Sequence, residues 1–169
     1  MDEKPMAKIT KFNRYAIIYV DDEAKARKYF ELIFRDTYQV MCAESVDSAL
    51  TMLEANAENV ALLITDQNMP KTKGMDLLKV AKFRYPHITR MLTTAYTDIE
   101  SAIESVNKGE IFRFALKPWN LEEFRLHINE ALQSYTDRKD EQFLLSERRQ
   151  SLFKVASNIT HELRTPLAG

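Results

Sequence analysis

Apolar residues along the chain fall into two alternating patterns. Short continuous runs occupy Tyr15 to Val20, Val60 to Thr65 and Ile88 to Thr94, with weaker ones at Tyr38 to Cys42 and Ile111 to Leu116. Such runs put apolar side chains on both sides of the backbone, as a strand covered on both faces requires. Between them, Ala24 to Phe34, Val46 to Ala55, Met75 to Phe83 and Ile99 to Val106 carry apolar residues at helical spacing. Strand and helix alternate five times, which predicts an α/β fold: a parallel sheet with helices on both faces. Right-handed crossovers leave few windings, and the flavodoxin-like order 2-1-3-4-5 is the natural one for five strands.

From Leu121 onward the strand signal stops. Leu121, Phe124, Ile128, Ala131 and Tyr135 recur at spacings of three and four, and Leu145, Leu152, Ala156, Ile159 and Leu163 resume the same phase. This is a heptad-like seam, interrupted by Arg138, Gln142 and Arg149 and weakest over Thr136 to Gln142. A terminal helix packed on its own domain accounts for Leu121 to Ala131. A small sheet has no surface left for a helix three times that length, so the remainder is expected to extend as a coiled-coil-like linker. The division expected is therefore a polar tail over 1–14, an α/β domain over 15–135, a helical linker over 136–155 and the start of a further helical segment over 156–169.

Composition narrows the function. The chain has 169 residues, 45% of them hydrophobic, enough for one ordinary core and an appendage. With 24 basic and 25 acidic residues the net charge is -1, so no global field draws it to nucleic acid or anionic lipid. Cys42 is the only cysteine, which rules out an intrachain disulfide and suits a reducing cytoplasm. The apolar runs fall far short of the roughly 20 residues that span a bilayer, and the N-terminus lacks the apolar core of a signal peptide. A cytoplasmic location is expected.

Ligands of a parallel α/β sheet gather beyond the carboxyl ends of its strands. Four predicted strand ends carry polar residues: Asp21 and Asp22, then Asp66, then Thr93 and Thr94, then Lys117. Singly, each has a plainer reading, the acidic pair as a helix cap, Thr94 as a β-former and Lys117 as a solvated charge. As an ordered set they converge. Three carboxylates in one pocket repel one another unless a cation joins them, and oxygen-only ligation points to Mg²⁺. A lysine and a hydroxyl beside them supply what a transferring phosphoryl group needs, with Asp66 as nucleophile.

The motifs Tyr19-Val20-Asp21-Asp22-Glu23, Asp66-Gln-Asn-Met-Pro70 followed by Gly74, Leu92-Thr-Thr-Ala-Tyr96 and Lys117-Pro118-Trp119 closely resemble the response-regulator receiver family, from about Tyr15 to Tyr135. That resemblance implies that Asp21, Asp22, Asp66 and the backbone carbonyl of Asn68 hold Mg²⁺. It further implies that Asp66 becomes the aspartyl phosphate, that Thr94 and Lys117 bind the phosphoryl oxygens, and that Phe114 is the aromatic switch. A cis peptide is expected at Lys117-Pro118. The stretch from Gly109 to Lys117 is one residue longer than the family's usual spacing, which leaves Phe112 as the alternative switch ring. Asn68 and Tyr96 flank the entrance for attacking water and are expected to tune the lifetime of the phosphate.

Near the end, Ala156-Ser-Asn-Ile-Thr-His-Glu-Leu-Arg-Thr-Pro-Leu167 resembles the H-box of sensor histidine kinases. The resemblance implies His161 as phosphoacceptor, Glu162 as the carboxylate that draws off its proton, and Thr165 as the polar residue that orients water for dephosphorylation. No Gly-rich ATP-binding segment is present, so a segment of a longer hybrid kinase is expected, unable to phosphorylate itself. In an unbroken helix His161 would stand roughly 60 Å from Asp66, at 1.5 Å per residue. Direct transfer between them is therefore not expected. A phosphodonor kinase or phosphotransfer protein and, in the parent, a second copy of the chain are the expected partners. A binding-only dimerisation module is the alternative; a small-molecule enzyme on a flavodoxin-like fold is disfavoured by the absence of a Gly-rich phosphate loop after the first strand, and a DNA-binding regulator by the H-box standing where a helix-turn-helix would.

Overall fold

The structure is a computed structural model and describes residues 12 and 14–164. Five strands form: β1 (Ala16–Val20), β2 (Gln39–Ala43), β3 (Val60–Asp66), β4 (Thr89–Thr94) and β5 (Arg113–Leu116). Between them lie α1 (Ala24–Phe34), α2 (Val46–Asn56), α3 (Gly74–Arg84) and α4 (Ile99–Asn107), with a 3-10 turn at Tyr96–Asp98 before α4 and α5 (Leu121–Arg164) at the end. All strand pairs are parallel and the order is β2-β1-β3-β4-β5, the flavodoxin-like order expected. β5 begins two residues later than its apolar run. The Ile111 N–H still turns back to the Ser105 carbonyl at 3.4 Å, and Phe112 is the first to reach the sheet, donating to the Arg90 carbonyl at 2.8 Å.

Local signals set the helix starts. Ser45 caps α2 by accepting from the Ser48 N–H while the Ser48 hydroxyl accepts from the Ser45 N–H, so two otherwise orphaned donors are satisfied. Asn120 caps α5, its Oδ1 accepting from the N–H groups of Glu122 and Glu123, whose carboxylates also favour a helix N-terminus.

The central strands β1 and β3 are buried along their whole length, which is why their sequences are continuously apolar. Strand alternation splits their side chains between two cores. Ile18, Val20 and Leu63 pack with α2, α3 and α4 through Leu53, Leu78 and Ala102. Ile17, Tyr19, Leu62 and Ile64 pack with α1 and α5 through Phe30, Phe34, Phe124 and Ile128. One irregularity interrupts the ladder: Ala16 pairs with Val60 but Ile17 with Leu62, so Ala61 is an extra residue in β3. From Leu62 onward the even-numbered positions of β3 therefore share the α1/α5 face with Tyr19.

The chain divides into two compact units, 1–135 and 136–169. In the first, Phe124, Ile128, Ala131, Leu132 and Tyr135 are buried. In the second, the weak stretch Thr136 to Gln142 is helical, and every described residue from Asp137 on is exposed, including Leu145, Leu152, Ile159 and Leu163.

Gly74 opens α3 with its backbone against the end of β3, where a Cβ would collide with the carbonyl oxygen of Asp66. Backbone cannot yield as a side chain tip can, so Gly74→Ala is expected to cost more than about 2 kcal/mol of stability in denaturant unfolding.

Candidate functional site

The site assembles at the carboxyl ends of β1, β3, β4 and β5. Tyr19 and Asp21 stand two residues apart and so project to one side of β1's line. The Tyr19 hydroxyl donates to Asp21 Oδ2 at 2.7 Å, and the same oxygen pairs with Lys117 Nζ at 2.7 Å. Asp21 Oδ1 accepts the Glu23 N–H at 2.9 Å, which turns the chain into α1. Arg27, one turn into α1, donates to the backbone carbonyls of Asp21 at 2.7 Å and Asp22 at 2.9 Å, pinning the acidic pair from below.

Asp66 ends β3 and is 8% exposed. Its Oδ1 meets Lys117 Nζ at 3.0 Å and its Oδ2 accepts the Asn68 N–H at 3.1 Å. Lys117 thus bridges two carboxylates that belong to neighbouring strands. Asp22, exposed, completes the acidic group: ligand oxygens of Asp21, Asp22 and Asp66 all lie within 4.8 Å of one another. Asn68 is exposed at the mouth, donating from its side chain to Asp98 at 2.9 Å and accepting from Lys73 at 3.1 Å.

Thr94 is buried at the end of β4, where its carbonyl accepts the Lys117 N–H at 2.9 Å; its hydroxyl lies 3.5 Å from the Ala95 carbonyl. Lys117-Pro118 is cis. Phe114 packs against the α2/α3/α4 core and Phe112 against the α1/α5 core, so the two candidate rings face opposite sides of the sheet. His161 and Glu162 lie exposed on the helix of the second unit, and Thr165 falls outside the described residues. The contacts of Arg27 and Asp98 with the site, and the hydrogen bond from Tyr19 to Asp21, are not foreseen from the sequence. Tyr19 could have been found by extending the period of two back from Asp21.

Burial pushes the Asp66 carboxyl above its ordinary value and Asp21 adds to this, while Lys117 and the Asn68 N–H pull the other way without cancelling it. Burial pulls Lys117 down, but its hydrogen bonds and charge pairing with Asp21 and Asp66 outweigh that and hold it above the usual lysine value. Burial, then the hydrogen bond to Asp21, raises Tyr19 far above an ordinary phenol, so it stays a protonated donor. A cluster of three carboxylates offering only oxygen, one still under electrostatic pressure beside the lysine, fits a hard divalent cation such as Mg²⁺.

Comparison with known proteins agrees with this geometry. The family described as the response regulator receiver domain matches residues 17–129. The hydrogenase transcriptional regulatory protein HoxA of Bradyrhizobium diazoefficiens is 29% identical over 124 residues, 73% of this chain and 25% of HoxA. Histidine kinase P4 of Formosa agariphila is 27% identical over 75% of this chain and 9% of that kinase. The chain therefore spans at most about a quarter of these relatives. Among solved structures, the response regulator receiver domain protein of Clostridium thermocellum superposes with a TM-score of 0.68 at 28% identity, covering 72% of this chain and 97% of that one. No described helix is long and apolar enough to cross a membrane.

Because its pKa is raised in the fold, ionised Asp66 opposes folding above the ordinary carboxylate range, and that cost fades as pH falls and the group is protonated in both states. In chelator at neutral pH, Asp66→Asn is expected to melt about 2–4 °C above the wild type. The gap should close in scans taken below the ordinary carboxylate range; a variant that melts lower at neutral pH would contradict this.

Proposed function

We propose, from the premise that the chain belongs to the response regulator receiver domain family and is a receiver of a two-component system, that it takes up a phosphoryl group on Asp66. The observation that carries the reading is Lys117 Nζ held between Asp21 at 2.7 Å and Asp66 at 3.0 Å inside a three-carboxylate cluster. Receiver domains generally bind Mg²⁺ at such an acidic pocket, and here Asp21, Asp22, Asp66 and the Asn68 carbonyl would hold it; when bound it supplies positive charge that offsets the carboxylates and the phosphoryl oxygens.

A carboxylate oxygen of Asp66 attacks phosphorus. The bond from phosphorus to the donor nitrogen of a phosphohistidine breaks, its electron pair returns to the imidazole, and an acyl phosphate remains on Asp66. Lys117 follows the negative charge and pairs with a phosphoryl oxygen. Thr94 donates to a second oxygen, and the space it leaves is taken up by Phe114, the ring on the α4 side. Asn68, tied to Asp98 and Lys73 across the mouth, sets how readily water reaches the phosphorus. The phosphodonor partner is a histidine kinase or a phosphotransfer protein.

Within the second unit, 136–155 is a helical linker and 156–169 the beginning of a histidine-kinase dimerisation helix, with His161 as its phosphoacceptor and Glu162 and Thr165 beside it in sequence. The receiver is an input to that module: a separate kinase phosphorylates Asp66, and the change biases the kinase. The partner of the exposed seam is a second copy of the chain, packing Leu145, Leu152, Ala156, Ile159 and Leu163 against their equivalents.

Acetyl phosphate with Mg²⁺ should label the wild type and fail on Asp66→Ala, and Lys117→Ala should slow labelling about a hundredfold. Failure of the wild type to take up label or beryllofluoride, a phosphoryl mimic, would instead favour a binding-only module. In sedimentation velocity the wild type is expected to dimerise with rising concentration and a Leu152→Glu, Ile159→Glu double variant to stay monomeric. In the longer protein, loss of label from His161 that depends on Asp66 would rule out the input role.

A further inference from the structure

Asp21 Oδ2 is the one site oxygen with two strong donors, the Tyr19 hydroxyl and Lys117 Nζ, each at 2.7 Å. Asp21 is 1% exposed, so water cannot replace a donor that leaves. If Lys117 were the sole partner of that oxygen, drawing it toward a phosphoryl group would leave a buried carboxylate oxygen with no hydrogen-bond donor, a loss that charge from a cation elsewhere on the acidic group does not make good. Tyr19 removes that penalty. Its ring is 0% exposed, stacked on Phe30 at 4.2 Å with planes 9° apart and met edge-on by Trp119 at 5.7 Å. Clamped in this way, the hydroxyl cannot follow Lys117 and remains aimed at Asp21.

We propose that Tyr19 is a positioning residue whose hydroxyl keeps Asp21 paired while Lys117 is handed to the phosphoryl group. The inference rests on the reading of Asp66 as phosphoacceptor. It assigns to a residue in the floor of the site a role in the charged exchange above it: the hydroxyl holds Asp21 in both states, so Lys117 is free to choose between Asp66 and its phosphoryl load. Without the hydroxyl, Asp21 retains Lys117 more tightly and the phosphorylated arrangement is penalised. Metal binding is not penalised, since Asp21 then carries a less neutralised charge.

The test is Tyr19→Phe, which preserves the ring and deletes only the hydroxyl. Mg²⁺ alone and Mg²⁺ with beryllofluoride are titrated against the Trp119 fluorescence, with the melting temperature measured alongside. Loss of a hydrogen bond to a buried charge predicts beryllofluoride binding weakened about tenfold with Mg²⁺ affinity held within about threefold. A parallel loss of both affinities means a merely structural role and overturns the proposal, as does unchanged beryllofluoride binding. A wild type that binds no beryllofluoride fails the Asp66 reading itself, which separates the two failures. A wild-type measurement serves if the variant does not fold: the Tyr19 hydroxyl proton, protected by its bond to Asp21, should stay visible by NMR on adding Mg²⁺ and beryllofluoride. Its disappearance would overturn the proposal.

Discussion

Two buried carboxylates next to each other are unstable, and the ammonium of Lys117 between Asp21 and Asp66 is what makes them tolerable. The compensation is incomplete, since Asp66 remains harder to ionise than a free carboxylate while Lys117 becomes harder to deprotonate. Such residual charge is the kind that a cation beside the carboxylates would relieve. The architecture serves that balance: strand order 2-1-3 brings the ends of β1 and β3 side by side, and the Lys117 N–H bonded to the Thr94 carbonyl fixes where the lysine begins.

Around this bridge the loops are held by backbone hydrogen bonds. Arg27 grips the carbonyls of Asp21 and Asp22, Gln67 donates its N–H to the Thr93 carbonyl, and Gly74 lets α3 start in contact with Asp66. The carboxylates are thus fixed from the main chain upward, and their side chains need few further constraints. The exposed rim at Asn68, Lys73 and Asp98 is tied together across the mouth by side-chain hydrogen bonds.

Much of this was legible in the sequence, for identifiable reasons. Strands buried on both faces leave continuous apolar runs, and polar residues at their ends stand out against them, so Asp21, Asp66, Thr94 and Lys117 were visible in order. Tyr19 was hidden because a tyrosine inside an apolar strand reads as core, which it also is. Arg27 was hidden because its partners are two backbone carbonyls, which leave no mark in the sequence, and Asp98 because its partner Asn68 is a loop side chain that only the fold brings near. Which side of the sheet Phe112 and Phe114 take was obscured by the longer spacing after Gly109, and the two rings pack against opposite cores.

The extra residue Ala61 has a consequence for how this strand can change over time. Because side chains alternate, adding or removing one residue upstream in β3 does not merely displace Asp66 along its axis; it inverts the strand, sending that carboxylate to the opposite side from Asp21 and Lys117. Evolution can therefore edit this segment only in even steps, or in odd ones absorbed by a bulge, and the side of the sheet on which Asp66 meets Asp21 and Lys117 hangs on an odd-or-even count made five positions before it.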